Sequence, residues 1–301
     1  MLTITKATEP LTVDRINLCI YSAPGLGKTT LSYTSDVPLL LDCDGGAYRA
    51  ANRKDTVQVK SWADIAAISA ADLQPYKTVI VDTAGRLLDF LTADIIASNP
   101  KMGRGGSLTL QGYGELKARF VGWLKLLRTH GKDVVLIAHM DEQRSGDDVI
   151  ERLDVQGGSK AEIYKSVDAM GRLFIRNNER YLDFNPRENS FGKNPCQLPV
   201  MPVSIDNATF LADVIATIKD RLNSSAADEK KSSNGMHDWM IVINECDGPD
   251  MINQLLPDIR KAGPKIIALA NKRMRELGLM YDKATQVCVP LPRKEKANAA
   301  A

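Results

Sequence analysis

The stretch YSAPGLGKTTL, residues 21–31, decides how the rest of the chain is read. Gly25 and Gly27 stand just before Lys28 and Thr29. Glycines so placed let a backbone wrap closely round a phosphate with its N–H groups inward, while the lysine supplies charge and the hydroxyl a metal ligand. Ser22 occupies the place where a glycine usually opens this pattern. That position only starts the turn, so its change matters less than loss of Gly27 or Lys28 would. An apolar run, RINLCIY (15–21), precedes the loop, and KTTLSYT opens a helix whose N-terminus faces the phosphates. Pro24, Gly25, Leu26, Gly27, Lys28, Thr29 and Thr30 are therefore candidate ATP-binding residues.

A second run, TVIVDT (78–83), leads from Thr78 through three apolar residues to Asp82, the pattern in which a strand-end carboxylate holds Mg²⁺ through water. Thr29 and Asp82 are the candidate metal residues. Hydrolysis also needs a group that orients water. Asp42 and Asp44 in LLLDCDGG follow another apolar run; their alternation lets only one face the phosphate, and the residues alone leave open which. His139 ends a further run in LIAHMDE, where it could sense the γ-phosphate.

These runs (15–21, 37–43, 77–83 and 132–139) have strand length and suit parallel strands covered on both faces. Helical patterns at 61–73, 84–97 and 114–131 lie between them, so the chain reads as an α/β fold with a mainly parallel sheet. GRLFIRNNERYLDF (171–184) reads as a hairpin turning at Asn177-Asn178. The polar segment 141–160 is a long loop or an exposed hairpin, and 207–222 a closing helix. NSSAADEKKSSNG (223–235) has the composition of a flexible linker. The expected organisation is an ATPase domain over 1–222, the linker over 223–235, and a small helical C-terminal module over 236–301.

In 301 residues, a formal charge of +2 announces neither a nucleic-acid nor a membrane partner by bulk charge. Five cysteines without a CxxC pair argue against a disulfide framework and for a reducing cytoplasm. The opening residues do not read as a signal peptide, and no apolar run approaches the roughly 20 residues that span a bilayer. A small-molecule kinase is disfavoured, because no basic lid follows the phosphate loop.

The order of phosphate loop, LLLDCDGG, TVIVDT and LIAHMDE, followed by a polar segment, resembles the RecA-type P-loop ATPase core. APGLGKTTL, LLLDCDGG, IAHMDE and NPRENSFGKN are together similar to phage-encoded nucleotide-binding proteins of that superfamily, some of them Rad-like single-strand annealing proteins. The resemblance spans about residues 10–222. It implies Asp44 as the catalytic carboxylate and His139 as the sensor, alongside Lys28 and Asp82. It also implies two loops that bind single-stranded DNA, 98–112 with Lys101 and Arg104, and 143–160 with Arg144 and Lys160. Arg187 and Lys193 would reach a neighbour's nucleotide, which implies a homo-oligomeric ring or filament. The expected function is an ATP-dependent DNA recombination or annealing protein. The alternative is an ATP-switched helicase loader or regulator acting through a protein partner. Residues 236–301 would dock a single-strand binding protein or a nuclease. From Gln143 to Lys193 acids are as numerous as bases, so the second loop is no basic patch.

Overall fold

The computed structural model describes residues 12–145, 148–155, 159–204 and 206–291. The chain forms two compact units, one over residues 11–223 and the other from Ser224 onward. In chain order the first carries β1 (Asn17–Ser22), α1 (Lys28–Ser32), β2 (Pro38–Asp42), β3 (Thr56–Gln58), α2 (Trp62–Ala66), α3 (Ala70–Leu73), β4 (Thr78–Asp82) and α4 (Ala84–Ser98). Then come β5 (Gly103–Arg104), β6 (Ser107–Leu108), α5 (Leu110–Thr129), β7 (Asp133–Ser145), β8 (Asp148–Leu153) and α6 (Ser159–Ser166). β9 (Ala169–Arg176), β10 (Glu179–Asp183), β11 (Met201–Pro202) and the start of α7 (Phe210–Glu245) complete it.

The four apolar runs form the centre of one sheet, ordered β11-β10-β9-β1-β7-β4-β2-β3, with β8 paired to the outer half of β7. From β3 to β9 every neighbouring pair is parallel, and β10 and β11 return antiparallel. The expected α/β architecture is therefore present. Alternate residues serve opposite faces. Cys19, Tyr21, Leu41, Val81 and Leu136 pack with Leu91 of α4 and Phe120 of α5. Leu18, Ile20, Leu40, Ile80 and Ile137 pack with Leu31 of α1 and Leu211 and Ile218 of α7. Each such large apolar side chain contributes about 1.5–3 kcal/mol by leaving water. This double cover explains the continuous apolar runs and points the carboxyl ends of the strands at a single edge.

Several boundaries differ from expectation for local reasons. The helix expected over 61–73 is broken in two because Ser69 and Asp72 form a capping box, Ser69 N donating to Asp72 at 2.9 Å and Asp72 N to Ser69 Oγ at 3.2 Å. α5 starts before residue 114 because Thr109 caps it, accepting from Gly112 N at 3.2 Å. Within 141–160 the described residues form the β7–β8 ladder and the start of α6. The β9–β10 hairpin turns at Asn177 and Asn178, both with positive φ (51° and 65°), as two-residue hairpins require.

Residues 223–235, expected as a linker, lie within the helical range of α7. Ala226, Ala227, Glu229, Lys230 and Lys231 are good helix formers, and the surrounding serines masked that propensity. The second unit contains α8 (Pro249–Ala262), α9 (Pro264–Glu276), β12 (Leu279–Asp282) and β13 (Val287–Pro290). It is thus not wholly helical: Gly278, at φ 66°, ends α9 and opens a β12–β13 hairpin. Its core is formed by Cys246, Ile252, Leu256, Met274, Leu279 and Cys288. No helix among the described residues is long and apolar enough to cross a membrane.

Candidate active site

The phosphate loop leaves the end of β1 and re-enters the fold as α1. Its two glycines take φ of 79° (Gly25) and 91° (Gly27), a region costly for any residue with a side chain. Ser22 does not, because it is the last residue of the extended strand. The absent glycine therefore falls at the one end of the loop where backbone freedom is not needed. The buried Ser22 instead offers its carbonyl (3.0 Å) and its Oγ (3.1 Å) to Lys28 Nζ, which also donates to Ala23 O at 2.9 Å. Restoring glycine, Ser22→Gly, is expected to lower stability by about 1 kcal/mol and leave ATP affinity within about threefold, because only one of three neutral acceptors goes. A thermal melt with an ATP titration checks this. A loss of binding as deep as that of Lys28→Ala would show that the hydroxyl had taken over a phosphate-gripping role.

Burial lowers Lys28 from its ordinary 10.5 to about 8, against the pull of Asp82 and Asp44, which favour the charged form. Thr29 Oγ1 donates to Asp82 Oδ2 at 2.6 Å across 53 positions of sequence. Burial raises the Asp82 carboxyl, and the Thr29 bond opposes that rise. A hydroxyl beside a desolvated carboxylate is a hard-oxygen donor set of the kind that suits Mg²⁺, whose charge would offset the cost of burying Asp82.

The two aspartates after β2 have different surroundings. Asp42 is buried, and its carboxylate accepts from Gly46 N and Ala47 N, each at 3.0 Å, so it clamps the following loop. Asp44 turns the other way. Its Oδ2 lies 3.2 Å from His139 Nε2, and its Oδ1 is 3.4 Å from Arg86 Nε. The hydrogen bond to His139 holds the Asp44 carboxyl below its ordinary value, against an opposing effect of burial. His139 is the last β7 residue paired to β1, opposite Ser22.

A cavity of about 550 Å³, a size typical of small-molecule sites, joins these groups. Pro24, Gly25, Gly27, Lys28, Thr29 and Thr30 line one wall, and Asp44, Asp82 and His139 the other. Leu26 contributes its carbonyl to Arg180 Nε at 3.0 Å. Arg180 and Arg49 also line the cavity and were not among the expected residues. Arg180 lies on β10, between β9 and β11 and far along the chain, so only sheet order brings it here.

Arg187 and Lys193, expected at a neighbour's nucleotide, do not line this chain's own cavity. Arg187 Nε donates to Asp183 at 2.8 Å, and Lys193 Nζ donates to Val167 O at 2.5 Å. Each satisfies a buried acceptor of its own fold, which the sequence pattern could not reveal. Of the DNA candidates, Lys101 and Arg104 are exposed beside the β5–β6 turn, where Gly105 and Gly106 take φ of 58° and 80°. Arg144 is exposed near the tip of the β7–β8 hairpin and Lys160 lies in α6. None of the four lines the cavity. Residues 146–147 and 156–158 of that expected loop lie outside the described residues.

Residues 14–196 match a family described as AAA domain. No curated protein shows significant similarity to the chain. Among solved structures, a prototypical ATPase from the type III secretion system of pathogenic bacteria is similar over 53% of this chain, with 13% identity and a TM-score of 0.36. The match covers 51% of that ATPase, about half of its length.

Proposed function

The chain belongs to the AAA domain family and is a P-loop ATPase, and from that premise we propose that it is a Mg²⁺-dependent ATP-hydrolysing switch coupled to single-stranded DNA. The observation that carries this is the Asp44–His139 contact, 3.2 Å, at the point where β7 leaves its partner β1 and begins to pair with β8. The loop amides and Lys28 grip the phosphates. Thr29 and Asp82 would hold Mg²⁺, which when bound screens charge on the phosphate oxygens. Asp44 orients a water whose oxygen forms the new bond to the γ-phosphorus. The bond to the bridging oxygen breaks with its electron pair leaving on ADP, and the proton of the water passes by way of Asp44 to solvent. His139, hydrogen-bonded to Asp44, carries the change into the β7–β8 hairpin.

Single-strand annealing or recombination is the output supported by the motif resemblance and by the exposed Lys101 and Arg104 at a glycine turn that a phosphate backbone can approach. Residues 236–301 then serve to dock a partner, such as a single-strand binding protein or a nuclease, and the working form is a homo-oligomeric ring or filament. One observation favours a second reading, a loader or regulator that acts on a protein. The hairpin carries Asp141, Glu142, Asp148, Glu151 and Asp154 against Arg144 and Arg152, an acidic excess that repels nucleic acid.

Steady-state hydrolysis with and without single-stranded DNA, across a salt series, separates the two. Stimulation that fades as salt rises is the expected result, because phosphate contacts release counterions. Turnover indifferent to DNA at every salt concentration would move the output to a protein partner.

A further inference from the structure

A second cavity, about 480 Å³, adjoins the first, and Asp44, Arg49 and His139 border both. Asp44 and His139 already have roles at the γ-phosphate end. Arg49 has none, although three features of the fold converge on it.

The first is its support. The Asp42 carboxylate fixes the loop after β2 through the N–H groups of Gly46 and Ala47, and from that anchor the chain makes one 3₁₀ turn, Ala47–Arg49. The second is its seat. A Cβ at Gly46 would come 2.4 Å from Arg49 Nη2 and 3.3 Å from its Cζ, so the guanidinium lies directly against the bare glycine backbone. Gly46 has φ −104°, which any residue can adopt. The glycine there serves to make room and is not needed for its conformation. The third is the state of its charge. Among the described residues no carboxylate lies within ion-pair distance of Arg49, whereas Arg86, the other arginine of the second cavity, is engaged with Asp44 and Asp89 at 3.4 Å each.

We infer that Arg49 is a catalytic residue that stabilises the charge developing on the γ-phosphate oxygens, supplied by the same chain that holds the nucleotide. Gly46 and Asp42 are the positioning residues that aim it. Phosphoryl transfer spreads charge over three equatorial oxygens, and an arginine at that point is worth roughly 10³- to 10⁵-fold in rate. A guanidinium without a carboxylate partner, held by a 3.4 Å bond from its Nε to Gly46 O and 5.4 Å from the Tyr48 ring, that borders the same cavity as the water-orienting carboxylate and the phosphate loop is the group such a transition state requires. Hydrolysis then needs no arginine from a neighbouring copy, in contrast to the expectation attached to Arg187 and Lys193. The inference rests on the proposed ATP hydrolysis in this cavity.

The test compares the full chain with Arg49→Ala, Arg49→Lys and Gly46→Ala, measuring kcat, KM and ADP affinity. It also measures turnover of Lys28→Ala mixed with Arg49→Ala. Arg49→Ala should lower kcat about 10³-fold and leave ADP affinity within about threefold, since ADP lacks the group the arginine serves. Arg49→Lys should recover only part of the rate, because an ammonium lacks the planar fork. Gly46→Ala, whose methyl displaces the guanidinium, should lower kcat in the same direction without weakening ADP. The mixture should stay inactive.

Wild-type kcat in Arg49→Ala overturns the assignment. Turnover regained on mixing overturns supply by the same chain, and wild-type kcat in Gly46→Ala overturns the positioning role. Wild-type protein that binds ATP and never hydrolyses it would overturn the hydrolysis proposal itself, and the role of Arg49 with it.

Discussion

Replacing Lys28 with alanine is expected to abolish turnover and weaken ATP binding by roughly 10²- to 10³-fold or more. The ammonium is the one cation inside the loop, only 5% exposed and held against three backbone and side-chain oxygens. A triphosphate that enters without it leaves buried anionic oxygens unpaired, a loss of about 3–5 kcal/mol. The wild-type protein should also show a proton signature. Burial places Lys28 at about 8 in the free chain, so near pH 8 it is about half protonated, and a bound polyphosphate draws it back to full charge. ATP binding should therefore take up about half a proton at pH 8, more as pH rises toward 9, and little through this group near pH 6. Calorimetry in buffers of different ionisation heat measures it. The same shift sets a stability trend: the cost of the buried ammonium is present below about pH 8 and is relieved as pH rises through 8 toward the ordinary 10.5. Tight ATP binding by Lys28→Ala, or uptake in wild type that does not vary with pH, would remove the lysine from the site.

Asp44→Asn should bind ATP as well as wild type and lose about 10²- to 10⁴-fold in kcat, the range set by losing a positioned proton acceptor. The amide keeps the shape of the carboxylate and cannot accept a proton from water. Asp42→Asn should behave differently. One amide oxygen cannot accept from both Gly46 N and Ala47 N, and the NH₂ group then faces a backbone donor, at a cost of about 1–3 kcal/mol. Its signature is a lowered melting temperature, with turnover falling only as far as the loop shifts. Hydrolysis lost in Asp42→Asn at an unchanged melting temperature, with Asp44→Asn active, would exchange the two assignments. Because the His139 bond holds Asp44 below its ordinary value, its stabilising contribution is present above the usual carboxylate range and is lost only as pH falls through the lowered folded value. Wild-type turnover should keep its base down to the same region.

The parts of the site legible in the sequence are those written into contiguous segments. Lys28, Thr29 and their glycines are neighbours, and Asp82 and His139 each end an apolar run buried on both faces. What such runs cannot encode is which of two alternating acids turns toward the cavity. Asp42 and Asp44 differ by hydrogen bonds to a loop whose path depends on the fold. Arg180 was hidden for a topological reason: β10 is an antiparallel strand between β9 and β11, and its approach to Leu26 spans 154 positions. Arg49 was hidden because its cue is an absence of volume, a glycine whose dihedral angles are ordinary. The hydrogen bonds of Arg187 and Lys193 were hidden too, since motif order carries no information about the Asp183 carboxylate and Val167 carbonyl that engage them.

β7 is also a mechanical part. Asp133 to Ile137 pair with β4 and Val134 to His139 with β1, whereas Met140 to Ser145 pair with β8. One continuous strand thus has an inner half paired on both sides and an outer half paired on one, with His139 as the fulcrum between them. A lever transmits in both directions. Whatever seizes the hairpin tip must alter nucleotide affinity by the same factor by which the nucleotide alters the grip of the tip. A hairpin that serves the output proposed for it is thus equally an input to the ATPase.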